Sequence, residues 1–198
     1  MSKIRKKPIL IPEDVELKIE NNSLKIKGPK GEIQRKIPQE IRLEIKENKL
    51  FVLPLASREI HPSGRDRSFE ALSPKIKSLF GLYYRIFKND ITGVISGFEK
   101  KLEIQGIGFR AQLNNDGDLV LKVGFSHPVV VKKEEGVSFS VEKNIIKVCG
   151  IEKEKVGNLA AKIRRVKPPE SYKGKGIRYL GERVRKKEGK KVVTVSGT

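Results

Sequence analysis

Residues 15–26, "VELKIENNSLKI", set Val15, Leu17 and Ile19 on one side of the chain, pass through Asn21 and Asn22, and return Leu24 and Ile26 in the same alternation. Apolar residues at every second position share a face only when the backbone is extended, because successive side chains of a strand point to opposite faces. The stretch therefore predicts a β-hairpin. Residues 41–53, "IRLEIKENKLFVL", repeat the device with Ile41, Leu43 and Ile45, a turn at Asn48, then Leu50 and Val52. Antiparallel sheet dominates this part of the chain.

The pattern returns in the second half. "GVSFSVEKNIIKVCG" overlays the second hairpin at one constant offset of 96 residues, with Ile41 on Val137, Leu43 on Phe139, Ile45 on Val141, Asn48 on Asn144, Leu50 on Ile146 and Val52 on Val148. A helical pattern follows each hairpin. "SPKIKSLFGLYYRIFKND" starts at Ser73–Pro74 and carries Ile76, Leu79, Phe80, Tyr83 and Phe87 at helical spacing. Such a stripe reads as the core-facing side of a helix, in preference to an aromatic set against a cofactor. "KVGNLAAKI" underlies "LFGLYYRIF" with Gly157 on Gly81, an offset of 76, so the first half holds an insert near residues 55–73 whose Pro, Ser, Gly and Arg suit a surface loop. Between the two, "KKLEIQGIGFRAQL" reads as strand, Asn114–Gly117 as a turn and "DLVLKVGF" as the returning strand.

The expected class is α+β: two duplicated small domains, each an antiparallel β-sheet packed with one α-helix, over residues 1–90 and 91–170 and joined near Asn89–Gly97. A basic C-terminal extension, 171–198, completes the chain.

Composition bears on the partner. Of 198 residues 37% are hydrophobic, enough for a packed core, yet 43 Lys and Arg face 24 Asp and Glu, leaving a formal charge of +19. Neutralising phosphates releases condensed counterions, so a surface of this sign favours nucleic acid. A lipid surface would call for an amphipathic helix with Trp, Phe or Leu opposite its lysines; there is no Trp and no such segment, and the apolar runs are too short to span a bilayer. "MSKIRKKPILIPEDV" lacks the apolar block and cleavage site of a secretory signal, and Cys149, the single cysteine, has no internal disulfide partner. These features suit a reducing compartment.

The charge is concentrated between Lys162 and Lys191, where thirteen basic residues meet three acidic ones. Lys162, Arg164 and Arg165 close the second helix, where cations also suit the helix dipole. Pro168 and Pro169 stop that helix, so the cations beyond them have no dipole to serve. In "SYKGKGIRYLGERVRKKEGKK" the glycines permit close backbone approach, the tyrosines offer planar faces and the cations reach phosphates, whereas the competing reading is a solvated tail.

Other chemistries find little support. "GKG" at Gly174–Gly176 lacks the flanking Gly and Ser or Thr of a phosphate loop and follows Pro-Pro instead of a strand. "GIGFRA" from Gly106 lies in a strand pattern with no helix behind it, which excludes a dinucleotide fingerprint. His61 and His127 have no Cys or carboxylate at ligand spacing, and Cys149 closes a strand as a small core residue. No catalytic residue, metal, cofactor or small-molecule substrate is expected.

"PPESYKGKGIRYLGERVRKKEGKK" resembles the C-terminal signature of the large-subunit ribosomal protein L-six family, in its bacterial and organellar form. "GVISGFEKKLEIQGIGFRAQL", "LKVGFSHPV" and the opening "KKPILIPEDVELKI" with "IKGPKGE" carry the resemblance over nearly the whole chain. Two departures are the insert around Leu55–Ser73, longer than is usual in the family, and Ser171, where proline is common. The resemblance implies two α+β units, no catalysis, and binding to large-subunit rRNA near the sarcin–ricin region and stalk base, beside neighbouring large-subunit proteins. The compartment would be a bacterial cytoplasm or plastid stroma.

Lys162, Arg164, Arg165, Lys167, Lys173, Lys175, Arg178, Arg183, Arg185, Lys186 and Lys187 are expected on phosphates, Tyr172 and Tyr179 on ribose or base, and Gly174 and Gly176 to permit the approach. A free-standing RNA- or DNA-binding regulator outside the ribosome is the alternative.

Overall fold

A computed structural model describes residues 8–20, 22–55 and 73–187; the insert with its His61, and everything after Lys187, lie outside the described residues. The chain divides after Phe98 into two compact units, the first of which also takes in Ile151–Lys153.

In the first unit β1 (Ile9–Leu10), β2 (Glu16–Glu20), β3 (Ser23–Gly28), β4 (Gly31–Lys36), β5 (Ile41–Lys46) and β6 (Lys49–Pro54) precede α1 (Pro74–Ser96). They form two three-stranded antiparallel sheets, ordered β2-β3-β4 and β1-β6-β5. Leu24, Ile26 and Leu50 from the strands and Phe87 and Val94 from α1 are wholly buried in one core. Ser73 caps α1 by accepting from the Ile76 N–H, and Pro74 occupies the first turn, where its missing donor costs nothing.

The second unit contains β7 (Phe98–Gln105), β8 (Arg110–Leu113), β9 (Leu119–Lys122), β10 (Val129–Val131), β11 (Val137–Glu142), β12 (Ile145–Gly150), α2 (Lys153–Val166) and β13 (Gly176–Tyr179), except that Phe98 and Lys153 count with the first unit. One sheet is ordered β10-β9-β8 and the other β11-β12-β7-β13. Val156, Leu159, Ala160 and Ile163 line the buried side of α2 at helical spacing.

The duplication read from the sequence extends to strand register. Ile41 pairs with Pro54, Leu43 with Val52 and Ile45 with Leu50; 96 residues on, Val137 pairs with Gly150, Phe139 with Val148 and Val141 with Ile146. Both turn asparagines also do the same job. The carbonyl of Asn48 accepts from the Ile11 N–H at 2.9 Å, and that of Asn144 from the Ile104 N–H at 2.8 Å, each tying the hairpin end to a neighbouring segment.

Four sequence expectations shift in detail. The buried stripe of α1 runs through Phe80, Tyr84, Phe87, Ile91 and Val94, leaving Ile76, Leu79 and Tyr83 half-buried, because the helix is longer than the stripe first seen and its buried face centres on Tyr84 and Phe87. The boundary placed at residue 90 falls inside that helix, where Asp90 is buried and accepts two bonds from Arg35. "EIQGIGFRA" is not one strand, since the backbone turns at Gly106 and β7 and β8 enter different sheets. Residues 176–179, assigned to an extension, instead form an edge strand, because Ile177 is apolar enough to be buried completely beside β7.

Candidate nucleic-acid interface

Pro168 and Pro169 follow the last turn of α2, and the chain then loops through residues 170–175, runs as β13 along β7, turns at 179–182 and comes back. Five backbone bonds hold this strap: Ile177 N–H to the Lys167 carbonyl, Glu170 N–H to that of Lys175 and Lys187 N–H to that of Ser171, each 2.8 Å, and Leu180 N–H to that of Lys101 and Glu182 N–H to that of Tyr179, each 3.0 Å. The Lys187 bond brings residues 185–187 alongside residues 171–174. Cations far apart in sequence thereby share one surface.

The end of α2 and the strap sort their charges into two sets. Lys162 meets Glu134 at 2.6 Å, Arg164 grips Glu182 with Nε and Nη2, and Arg178 reaches the carboxylate of Glu103 with Nε and Nη2 at 3.1 and 3.0 Å. Arg178 and Glu103 face each other directly across β13 and β7. The hydrogen bond from Arg164, then that from the Tyr179 N–H, holds the Glu182 carboxyl below its ordinary range, and Glu182 in turn raises Arg164. Glu103 is lowered first by its bond from Gln105 and also by Arg178. A cation already bonded to a carboxylate presents little net field to a phosphate. Arg165, Lys173, Lys175, Arg183, Arg185, Lys186 and Lys187 form no ion pair among the described residues.

The aromatic and glycine positions divide in the same way. Tyr172 is 59% exposed, whereas Tyr179 is half-buried with Arg164 and Lys100 about its ring at 5.9 and 6.0 Å. Lys167 lies 4.9 Å from the ring centre of Phe125, a cation–π contact. Gly174 and Gly176 are both buried. A Cβ on Gly176 would stand 2.6 Å from the Pro168 carbonyl oxygen and 2.7 Å from Pro169 Cα, so the close approach this glycine permits is to its own chain. On Gly174 the nearest group is the flexible Lys186 side chain at 3.4 Å.

Glu103, Glu134, Glu182 and Phe125, which decide the availability of Arg178, Lys162, Arg164 and Lys167, were not anticipated from sequence. Only Glu182 lies in the basic segment, and nothing local marks it as the partner of Arg164. Among the described residues there is no cluster of three His, Cys, Asp or Glu able to hold a metal ion, and no helix long and apolar enough to cross a membrane.

Comparison with known proteins finds the model of "Ribosomal protein L6" over residues 11–97 and 105–180, one segment in each half. The chain is 47% identical over 191 residues to the large ribosomal subunit protein uL6c of Guillardia theta, covering 96% of this chain and 98% of that one. It is 47% identical over 192 residues to the large ribosomal subunit protein uL6 of Thermosipho melanesiensis, covering 96% and 100%. Against that of Staphylococcus carnosus it is 47% identical over 191 residues, covering 96% and 98%. With the duplicated hairpin register and with matches that span both halves, the chain belongs to the ribosomal protein L6 family.

Proposed function

We propose that this chain is a structural constituent of the large ribosomal subunit, without catalytic activity, that binds large-subunit rRNA through the strap. The observation that carries this reading is the group of seven cations left without carboxylates among the described residues, Arg165 at the end of α2 and six on the backbone-bonded strap that follows it, with Tyr172 exposed on that strap. Such a surface gives phosphates their counterions at little ordering cost, and an exposed ring a face on which a base or ribose can stack. The relatives' names support assembly in the large subunit. The resemblance supports a seat near the sarcin–ricin region and stalk base, beside neighbouring subunit proteins, in a bacterial cytoplasm or plastid stroma.

Lys162, Arg164 and Arg178 act in this reading first as struts and only second as RNA contacts. The test is the salt dependence of binding of the full chain to large-subunit rRNA. Lys186→Gln with Lys187→Gln should lower the slope of log K against log salt by about 0.7–0.9 per lost phosphate contact. An unchanged slope would remove the strap as the contact. Failure of the chain to sediment with large subunits at high salt would favour the free-standing regulator.

A further inference from the structure

Although the two units share a hairpin register, the sheets built on it differ in strand number. Asn48 and Asn144 correspond, and so do the residues that donate to their carbonyls, Ile11 beside β1 and Ile104 in β7. β1 therefore lies on β6 as β7 lies on β12. In the second unit β13 covers the outer side of β7, with Ile177 opposite Ile104 and Arg178 opposite Glu103. Ile177 is wholly buried and Ile104 is 3% exposed. Among the described residues of the first unit nothing pairs with the outer side of β1, so Ile11 stays half-buried and Leu10, at the position of Glu103, is 69% exposed.

The backbone of this edge suits one more strand. Because the Ile11 N–H points to Asn48, the N–H and C=O of Leu10 turn the other way, out from the sheet. Pro8 and Pro12 have no N–H, which leaves Leu10 as the outward donor of residues 8–12 and admits only a segment in matching register. Beyond Pro12 the chain turns acidic. Glu13 and Asp14 are exposed, Glu47 precedes the Asn48 carbonyl that holds Ile11, and none of the three forms an ion pair among the described residues. In a chain of +19, three uncompensated carboxylates beside one sheet edge repel RNA and attract cations.

We propose that this edge takes an extended segment of another protein as a fourth, antiparallel strand. Two successive apolar residues of that segment lie opposite Leu10 and Ile11, one on each face of the sheet, and a Lys or Arg on their N-terminal side meets Glu13. The chain's own β13 supplies the geometry. Laid on the first unit in the register it holds on β7, it would put Lys175 opposite Glu13, Gly176 opposite Pro12, Ile177 opposite Ile11 and Arg178 opposite Leu10. Of these only Arg178 mismatches, because it would face Leu10 where β7 offers Glu103; an apolar residue there completes the pairing. RNA brings neither backbone groups in strand register nor positive charge for the carboxylates. The proposal concerns the first unit and does not rest on the strap as an RNA contact.

The experiment uses the full chain and, as probe, the synthetic peptide of residues 173–181 carrying Arg178→Val. Binding should slow amide exchange at Leu10 and leave Ile11, already bonded to Asn48, little changed. Leu10→Glu should weaken the peptide about tenfold, and Glu13→Gln with Asp14→Asn about threefold at low salt but not at high salt. All three side chains are exposed, so unchanged unfolding midpoints would show that the fold is intact. Methylating the peptide amide of the valine opposite Leu10 should abolish binding. Leu10 should exchange slowly in large subunits with their full set of proteins, and fast in a complex of the chain with rRNA alone. Protection of Leu10 in the isolated chain would assign the edge to another segment of this chain, protection by rRNA alone to RNA, and a concentration-dependent dimer lost in Leu10→Glu to a second copy; each refutes the proposal. Peptide binding indifferent to Leu10→Glu also refutes it, as does fast exchange at Leu10 in complete subunits. Lys186→Gln with Lys187→Gln should leave the peptide affinity unchanged, which separates this result from that of the strap.

Discussion

Replacing Gly176 with alanine should detach the strap although it removes no charge and no side-chain contact. The new Cβ would meet three backbone atoms, the Pro168 carbonyl oxygen at 2.6 Å, Pro169 Cα at 2.7 Å and the Pro168 carbonyl carbon at 2.8 Å. None belongs to a flexible side chain, and two consecutive prolines leave the opposing backbone little room to rotate. Holding alanine near φ +140 costs roughly 1–3 kcal/mol. Relieving the overlap costs roughly 1–3 kcal/mol more. The sum, about 2–6 kcal/mol, is large against the roughly 5–15 kcal/mol by which domains are usually stable.

Gly174→Ala is the control two residues away. Its backbone is also left-handed, at φ +73, but the nearest group is the Lys186 side chain at 3.4 Å, which can move. Its cost should be about 1–2 kcal/mol, the penalty of a left-handed backbone alone. The assay is a denaturant midpoint at constant m-value, joined to amide exchange at Leu180, whose N–H is bonded to the Lys101 carbonyl at 3.0 Å, and at Val148 in the hairpin core. Gly176→Ala should speed exchange at Leu180 far more than at Val148. Equal destabilisation by the two alanines, or equal protection at both amides, would refute the argument that Gly176 exists for the Pro168–Pro169 approach.

Three further changes test other parts of the account. Glu182 has a lowered folded-state pKa, so its contribution is complete above the ordinary glutamate range and is lost as pH falls through the folded value; Glu182→Gln should flatten that acid limb of a stability-versus-pH curve and loosen Arg164. Gly81 and Gly157 lie inside α1 and α2 with nothing within 4 Å of an added Cβ, so each changed to alanine should raise stability by roughly 0.5–1 kcal/mol in thermal unfolding. Asp90 is 2% exposed and accepts from Nε and Nη2 of Arg35 at 2.9 and 3.2 Å; Asp90→Ala should cost about 3–5 kcal/mol, and a cost near zero would show that the pair is dispensable.

Much of the fold was legible because its signals act over a few residues. Ile41, Leu43 and Ile45 alternate on one strand, Asn48 turns it, and Leu50 and Val52 return; the 96-residue repeat of that pattern foretold a shared register. Ser73–Pro74 marked the start of α1 by the chemistry of its orphan donors. The buried face of α1 and the break at Gly106 were harder. Tyr83 and Tyr84 are equally apolar neighbours, and only the sheet beneath α1 chooses between them. Gly106 interrupts an alternation that the residues on either side continue.

By itself the sequence determined the α+β class, the duplication, the basic character of the chain and the segment in which its charge is concentrated, since periodicity, caps and local charge density depend on residues near one another in the chain. Tertiary structure alone decided which cations remain available. Arg178 is separated from Glu103 by 75 residues and Lys162 from Glu134 by 28, and a Coulomb contact depends on distance in space, which strand pairing and chain reversal set. The same return of the chain that places Lys186 beside Gly174 bonds the Lys187 N–H to the Ser171 carbonyl, so a run of charge in sequence is a shaped surface in the folded protein.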